Sequence, residues 1–370
     1  MTHESAPRAW VEVDLDAIVH NLHIARKAAD GALLMPIVKA NAYGHGLELV
    51  AKRLDAENIA FFGVANVGEA RRLKNAQVRT RPFILGPTLP DEHEEIAANS
   101  WGCTVSSVEE LHHFEQLGLT YGCNCSLHLA LDTGMGREGF LPHQVPEVMR
   151  LLQELPHVRI EGLMSHYSAA DEDTAFTEHQ AKTFFRASQE VQRHLPLPYI
   201  HIAAGAGLIG YPLYAANMAR PGLILYGIPP MDSPYAQELK PTLKLLSRVV
   251  LIRELPAGHT ISYGHTYTTP HPMRVATIGI GYADGWPRCI AKHPSYVCIQ
   301  GERCPILGRI TMDLIMADVT HLPQAKAGDE VELIGPQLPV TQVAEWAETI
   351  PWEVFTGLGV RLPRIPKAHS

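Results

Sequence analysis

The chain has 370 residues, 46% of them hydrophobic and 19% charged, and a formal net charge of −8. At roughly 100–200 residues per domain, that length gives two or three domains with apolar content enough for a large core. The negative balance argues against nucleic acid or an anionic membrane as partner, and no apolar run approaches the roughly 20 residues of a membrane span.

The opening residues, Met1-Thr2-His3-Glu4-Ser5-Ala6-Pro7, lack the basic and then apolar blocks of a secretory leader. Six cysteines (103, 123, 125, 289, 298 and 304) include no Cys-x-x-Cys pair. Reduced thiols in a cytoplasmic protein are the reading this supports. Residues 9–14 contain the alternation Val11-Glu12-Val13-Asp14, an extra strand expected to join a C-terminal domain. Asp14 can cap a helix from about residue 15 to 29, with Leu15, Ile18, Leu22 and Ala25 on one face. Short apolar runs follow at 33–38, 60–65, 82–86, 102–105, 126–131, 158–164, 199–203 and 223–227. Helix-like segments between them include 46–55, 67–74, 108–117 and 177–194. Eight strands alternating with helices give an α/β fold, an N-terminal (β/α)8 TIM barrel over residues 1–240. A doubly wound open sheet fits the same alternation. After Lys240, runs at 243–255, 275–280, 296–299, 314–319 and 330–334 follow one another without long helices, punctuated by glycine turns. Residues 241–370 therefore read as a mainly antiparallel β domain, with a loosely held tail from Arg361.

In a barrel the active-site face lies at the strand C-termini. The residues just past the eight runs are Lys39, Asn66, Gly86, Ser106, Asp132, Ser165-His166, Ala204-Gly205 and Gly227. A lysine at a strand mouth has its stem in apolar surroundings, which disfavours the ammonium form and suits it to Schiff-base or proton-transfer chemistry. Taken singly, such a lysine is more often a surface residue. Here Tyr43 and Gly44-His45-Gly46 lie within one helical turn and offer a phosphate-sized niche. Gly205-Ala206-Gly207-Leu208-Ile209-Gly210 matches G-x-G-x-x-G. The dinucleotide reading is weak, because the motif lies late in the chain. Glycines after the seventh strand instead favour one phosphate-bearing cofactor, with Gly222-Leu223 completing its cradle.

Arg137 stands beyond the glycine turn Asp132-Thr133-Gly134-Met135-Gly136. A solvated turn and a guanidinium clamp for a carboxylate are equally compatible with it. Arg220, before an inner strand, needs a buried acceptor. His201 shares a face with Tyr199 and Ala203 and reads as a core histidine. The twenty histidines contain no His-Glu-x-x-His, and no metal site is expected. Residues 261–267 read as a half-buried strand, 281–285 and 308–313 as turns.

Together these segments resemble the alanine racemases, pyridoxal-phosphate enzymes built on a barrel. The most specific stretch is Val38-Lys39-Ala40-Asn41-Ala42-Tyr43-Gly44-His45-Gly46. Residues 132–137, Ser165-His166, 219–222, Ser262-Tyr263-Gly264, 281–285 and Met312-Asp313 support it, and the likeness runs nearly end to end. The resemblance implies pyridoxal 5'-phosphate carried on Lys39, with Tyr43, His166, Gly205, Gly222 and Leu223 holding the cofactor and Arg220 facing its pyridine nitrogen. It implies interconversion of L- and D-alanine by two bases, Lys39 for the D-isomer's proton and Tyr263 for the L-isomer's, and a product used for peptidoglycan. Tyr263 and Met312 would come from the other subunit of a homodimer, and Arg137 with the Met312 backbone would orient the small amino-acid substrate. Asp171, Arg288 and Arg309 would line the entry. His201 would stand behind a chain from Tyr263 through His166 to Arg220.

The chain departs from the family pattern at several positions. Ala130 replaces a lysine, carbamate-modified in many relatives, that braces the clamp arginine; Ala204-Gly205 replaces Asn-Ser; Leu314 replaces a glutamine; and Val360 replaces a tyrosine that narrows the site. Weaker cofactor retention and turnover of serine or larger amino acids are the expected consequences. A serine-preferring or broad-specificity racemase, a non-catalytic protein that holds the cofactor or sequesters a drug, and a nicotinamide-dependent dehydrogenase are the competing readings.

Overall fold

A computed structural model describes residues 6–368. The first five residues, on which the reading of no secretory leader partly rests, and the last two of the tail lie outside the described residues. The chain divides into two compact units, and the division is not a single cut. One unit takes residues 16–42 and 47–240; of the described residues the other takes 6–15, 43–46 and 241–368.

The first unit is the barrel. Parallel strands Phe62–Val64, Pro82–Ile84, Gly102–Val105, Cys125–Ala130, Val158–Met164 and Tyr199–His201 lie in sequence order. Leu33–Leu34 pairs in parallel with Met218–Ala219, and Ile37 bridges to Gly63. Asn217 N–H donates to the Ile200 carbonyl and Arg220 N–H to that of Ala203, both at 2.9 Å, which closes the circle of eight strands. The core follows from size matching: a Cβ on Gly102 would lie 2.5 Å from the Phe83 ring, so the glycine leaves room for it. Helix starts carry the expected signals. Asn66 accepts from Glu69 N–H, and Ser107 with Glu110 forms a capping box before Val108–Tyr121.

The eighth strand corrects the sequence reading. Residues Leu223–Tyr226 form a 3-10 turn, and the strand is Met218–Ala219 just before it. Ile224, Leu225 and Tyr226 are apolar because the turn is buried, and periodicity does not separate a short buried turn from a short buried strand. Helices Pro90–Ala98 and Val145–Leu151 also lie between strands, where none was assigned.

In the second unit the long strand Leu243–Leu255 is the spine. It pairs antiparallel with Ala9–Val13, Met273–Ile278 and Glu330–Ile334. Tyr296–Ile299 turns through Gln300 and Gly301, with φ of 53° and 87°, into Glu302–Pro305, the paired positive φ of a two-residue hairpin. The tail is firmly held where a loose segment was expected: Arg364–Pro366 pairs in parallel with Val11–Val13, and Lys367 reaches the Asp14 carboxylate at 2.7 Å. All six cysteines are free. Among the described residues no helix is long and apolar enough to cross a membrane.

Candidate active site

The first barrel strand delivers Lys39 to the mouth, and the chain then turns left-handed. Ala40, Asn41, Ala42 and Tyr43 have φ of 53°, 56°, 53° and 50°. Such a run costs about 1–2 kcal/mol per residue and persists only where its surroundings over-determine it. Here Asn41 donates from its backbone to Glu69 at 3.3 Å, and its side-chain oxygen accepts from Leu47 N–H at 3.1 Å and from Arg72 at 2.8 Å. Ala42 N–H donates to the Val38 carbonyl at 2.8 Å. Burial lowers the Lys39 pKa below the usual lysine range, and the Arg137 and Arg220 guanidinium groups add to the effect against Glu69 and Glu138.

Arg220 stands at the end of the eighth strand, 2% exposed. Its Nη1 meets His201 Nδ1 at 2.6 Å; its Nη2 meets His166 Nδ1 at 2.8 Å and the carbonyls of Ser165 and Ile202 at 2.7 and 3.1 Å. Behind it, His201 Nε2 lies 2.8 Å from His128 Nδ1. Burial first, then the charge of Arg220, pushes the His166 pKa down to about 3 and that of His201 well below the ordinary value. Neutral imidazoles accept from a guanidinium through an unprotonated nitrogen, which fixes their tautomers. Arg220 itself, lowered by burial to about 10, stays cationic at neutral pH.

Two glycine turns face the same mouth, after the seventh and eighth strands. Gly205–Gly210 is a helical turn preceded by Ala204, and Leu223–Tyr226 one preceded by Gly222; no side chain caps either. With Gly222-Leu223 after the eighth strand rather than before it, both turns occupy the places where barrels cradle a phosphate. The Tyr226 hydroxyl donates to the Ile37 carbonyl at 2.8 Å and ties the second turn to the lysine strand.

After the fifth barrel strand, Cys125–Ala130, the Asp132 carboxylate accepts from Gly134 and Gly136 N–H at 2.9 and 3.0 Å. The turn presents Arg137, whose Nε and Nη2 both donate to Glu138 Oε1, at 3.2 and 2.8 Å. Glu138 was not singled out by its sequence.

The remaining site residues of the sequence reading group with the other unit. Tyr43 is there, its phenol pushed up to about 12 by burial and so held in the protonated, donating form. Residues 261–267 form a hairpin rather than one strand: Thr260–Ile261 pairs with Tyr267–Thr268, and a 3-10 turn at Tyr263–His265 connects them. Ser262, Gly264 and His265 have φ of 64°, 75° and 50°, and Tyr263 projects 69% exposed. Ser262 Oγ donates to the Arg309 carbonyl at 2.5 Å, so the Met312 loop lies against this hairpin. Met312, 52% exposed, accepts at its carbonyl from Ala283 N–H at 3.0 Å. Two large, uncovered side chains thus belong to this unit, while Lys39, His166, Gly205, Arg220, Gly222, Leu223 and Arg137 group with the barrel.

The family model described as "Alanine racemase, N-terminal domain" matches residues 13–230, and that described as "Alanine racemase, C-terminal domain" matches residues 242–366. The chain belongs to the alanine racemase family. It is 38% identical over 364 residues to the alanine racemase of Methylacidiphilum infernorum, covering 97% of this chain and 92% of that protein. It is 35% identical to that of Halothermothrix orenii, covering 96% of each. Among solved structures, the alanine racemase of a D-cycloserine-producing Streptomyces lavendulae matches with a TM-score of 0.91 at 30% identity over 99% of both chains. The alanine racemase of Bartonella henselae, solved with covalently bound pyridoxal phosphate, matches with a TM-score of 0.88 at 29% identity over 98% of this chain and all of that one.

The residues at which the resemblance implies departures take definite places. Ala130 is buried at the end of its strand and offers no side chain to Arg137. Ala204-Gly205 opens the first glycine turn. Leu314 N–H donates to Thr311 Oγ1 at 3.0 Å. Val360 is 98% exposed.

Proposed function

We propose that this protein interconverts L- and D-alanine with pyridoxal 5'-phosphate carried on Lys39, and that it supplies D-alanine for peptidoglycan. The observation that carries the reading is the Lys39 amine, with its pKa lowered by burial, in one barrel unit with Arg220 and Arg137. The residues fit the cofactor: an amine suited to covalent attachment, two uncapped glycine turns for a phosphate, and a buried cation for a ring nitrogen. When bound, the cofactor withdraws electrons from the substrate's Cα and makes its proton removable.

The chain's own residues do the rest. Arg220 holds its proton at neutral pH, so it donates to a ring nitrogen and leaves that nitrogen unprotonated. Tyr43 donates from its hydroxyl to the phosphate, with N–H groups of the Gly205 turn and of Gly222-Leu223 beside it. Arg137 and the Met312 backbone orient the substrate carboxylate. Lys39 Nζ takes or returns a proton on one face of Cα, and Tyr263 Oη does so on the other. Tyr263 and Met312 come from a second copy of the chain in a homodimer, which accords with their exposure here. His166 holds its proton on Nε2, because Nδ1 faces Arg220, and positions the partner's phenol.

The deciding test is α-proton exchange in deuterated water from each alanine enantiomer, in the wild type, Lys39→Ala and Tyr263→Phe. Each variant should lose exchange of one enantiomer and keep part of the other; symmetric loss in both would leave the two-base assignment unsupported. A second reading, broader specificity, rests on Val360, whose exposed side chain supplies no wall where the resemblance implies a tyrosine. Assays with serine and lysine test it, and turnover of alanine alone refutes it.

A further inference from the structure

Arg137 is 47% exposed at its side chain, whereas Glu138, the acid it pairs with, is 5% exposed. A half-exposed arginine samples many rotamers unless something grips it. One carboxylate oxygen does so here: Glu138 Oε1 accepts from both Nε and Nη2. That edge of the guanidinium is used up, and Nη1 is left for another acceptor. The other oxygen, Oε2, is buried with no hydrogen-bond partner among the described residues. A buried carboxyl group gripped at one oxygen alone adds little to the fold. Glu138 is itself held in place. Gly139, at φ +107°, runs so close to the strand end that a Cβ there would lie 2.8–2.9 Å from the backbone of residues 130–132. Phe140 closes the loop by exchanging backbone hydrogen bonds with Ala130 and Asp132.

We propose that Glu138 is a positioning residue for the reaction: its carboxylate sets the Arg137 fork at the angle that receives the substrate carboxylate, a task for which Ala130 offers no side chain. The proposal rests on the reading of Arg137 as the carboxylate clamp. A glutamate carries its carboxyl group without any added carbon dioxide, so this brace is built into the chain.

The test uses the cofactor-loaded enzyme and propionate, a carboxylate without an amine, titrated by calorimetry beside steady-state kinetics. Glu138→Gln keeps the shape and removes the charge; Glu138→Ala removes both. Each should keep the cofactor's visible absorbance, while the propionate Kd and the alanine KM rise together by roughly tenfold and kcat moves less. In an Arg137→Ala background, adding Glu138→Ala should change the propionate Kd no further. A Glu138→Gln enzyme whose propionate Kd stays within about twofold of wild type overturns the proposal, as does a Glu138 effect that persists in full without Arg137. An Arg137→Ala enzyme that binds propionate like the wild type refutes the clamp reading itself, whatever Glu138 does.

Discussion

Arg220 donates to Nδ1 of His201 at 2.6 Å, and the protons behind it are ordered by that contact. His201 then carries its proton on Nε2 and donates to His128 Nδ1, and His128 carries its own on Nε2, a buried atom with no partner among the described residues. The row conducts no charge at neutral pH. It is a stack of neutral rings that keeps Arg220 from turning.

The buried histidines around Arg220 make the protein acid-sensitive. Burial holds His128 and His166 at about 3 in the folded state, against about 6.5 when unfolded. The unfolded chain therefore binds more protons as pH falls, and stability is full above about pH 6.5 and lost progressively toward pH 3. Each such histidine should remove about 1.4 kcal/mol between pH 7.5 and 5.5. Urea unfolding at the two pH values checks this, with His128→Asn expected to flatten the dependence; an unchanged slope would refute the assignment.

Gly162 makes the stack possible. A Cβ there would lie 2.6–2.7 Å from the His128 ring. Gly162→Ala should cost about 1–3 kcal/mol by overpacking, seen as a lower Tm. A larger effect on kcat than on cofactor retention would show that the strain reaches Arg220 through His201.

The low Lys39 pKa depends partly on Arg137. Removing a positive neighbour raises a lysine pKa, so Arg137→Ala should protonate Lys39 over a wider range. The rate at which cofactor-free protein turns yellow on adding pyridoxal phosphate should then need a higher pH than in the wild type. Superimposable profiles would count against coupling between the two residues.

Gly264, at φ +75°, would bring a Cβ within 2.8 Å of the Arg309 guanidinium. Gly264→Ala is strained twice over and should displace the neighbouring Tyr263. A misplaced base can lower the rate by roughly 10- to 100-fold, so kcat/KM should fall while the visible cofactor spectrum stays. Wild-type kcat/KM would mean that the hairpin tolerates more shift than its geometry suggests.

Seven barrel strands were legible because each is an apolar run stopped by a polar residue or a glycine. The eighth was not, since Met218–Ala219 is only two residues long and the longer apolar run after it is a buried turn. Lys39, Arg137 and Arg220 stood out because charge after a strand or a glycine turn asks for a reason. Glu138 did not, as an acid beside an arginine reads as solvated surface. Nor did the left-handed turn: Ala40-Asn41-Ala42-Tyr43 favours an ordinary helix locally, and contacts with Glu69, Arg72 and Leu47, later in the chain, help to hold it otherwise. His128 was hidden inside a strand, where its role depends on ring contacts across the barrel.

The pairing of Val11–Val13 with Arg364–Pro366 has a consequence for biosynthesis. During translation residues 9–13 can pair with Leu243–Leu255 while the ribosome is still at work, but their other edge must wait until residue 366 has emerged. Until then that strand keeps an unpaired edge, and stalled or shortened chains should be prone to aggregation through it.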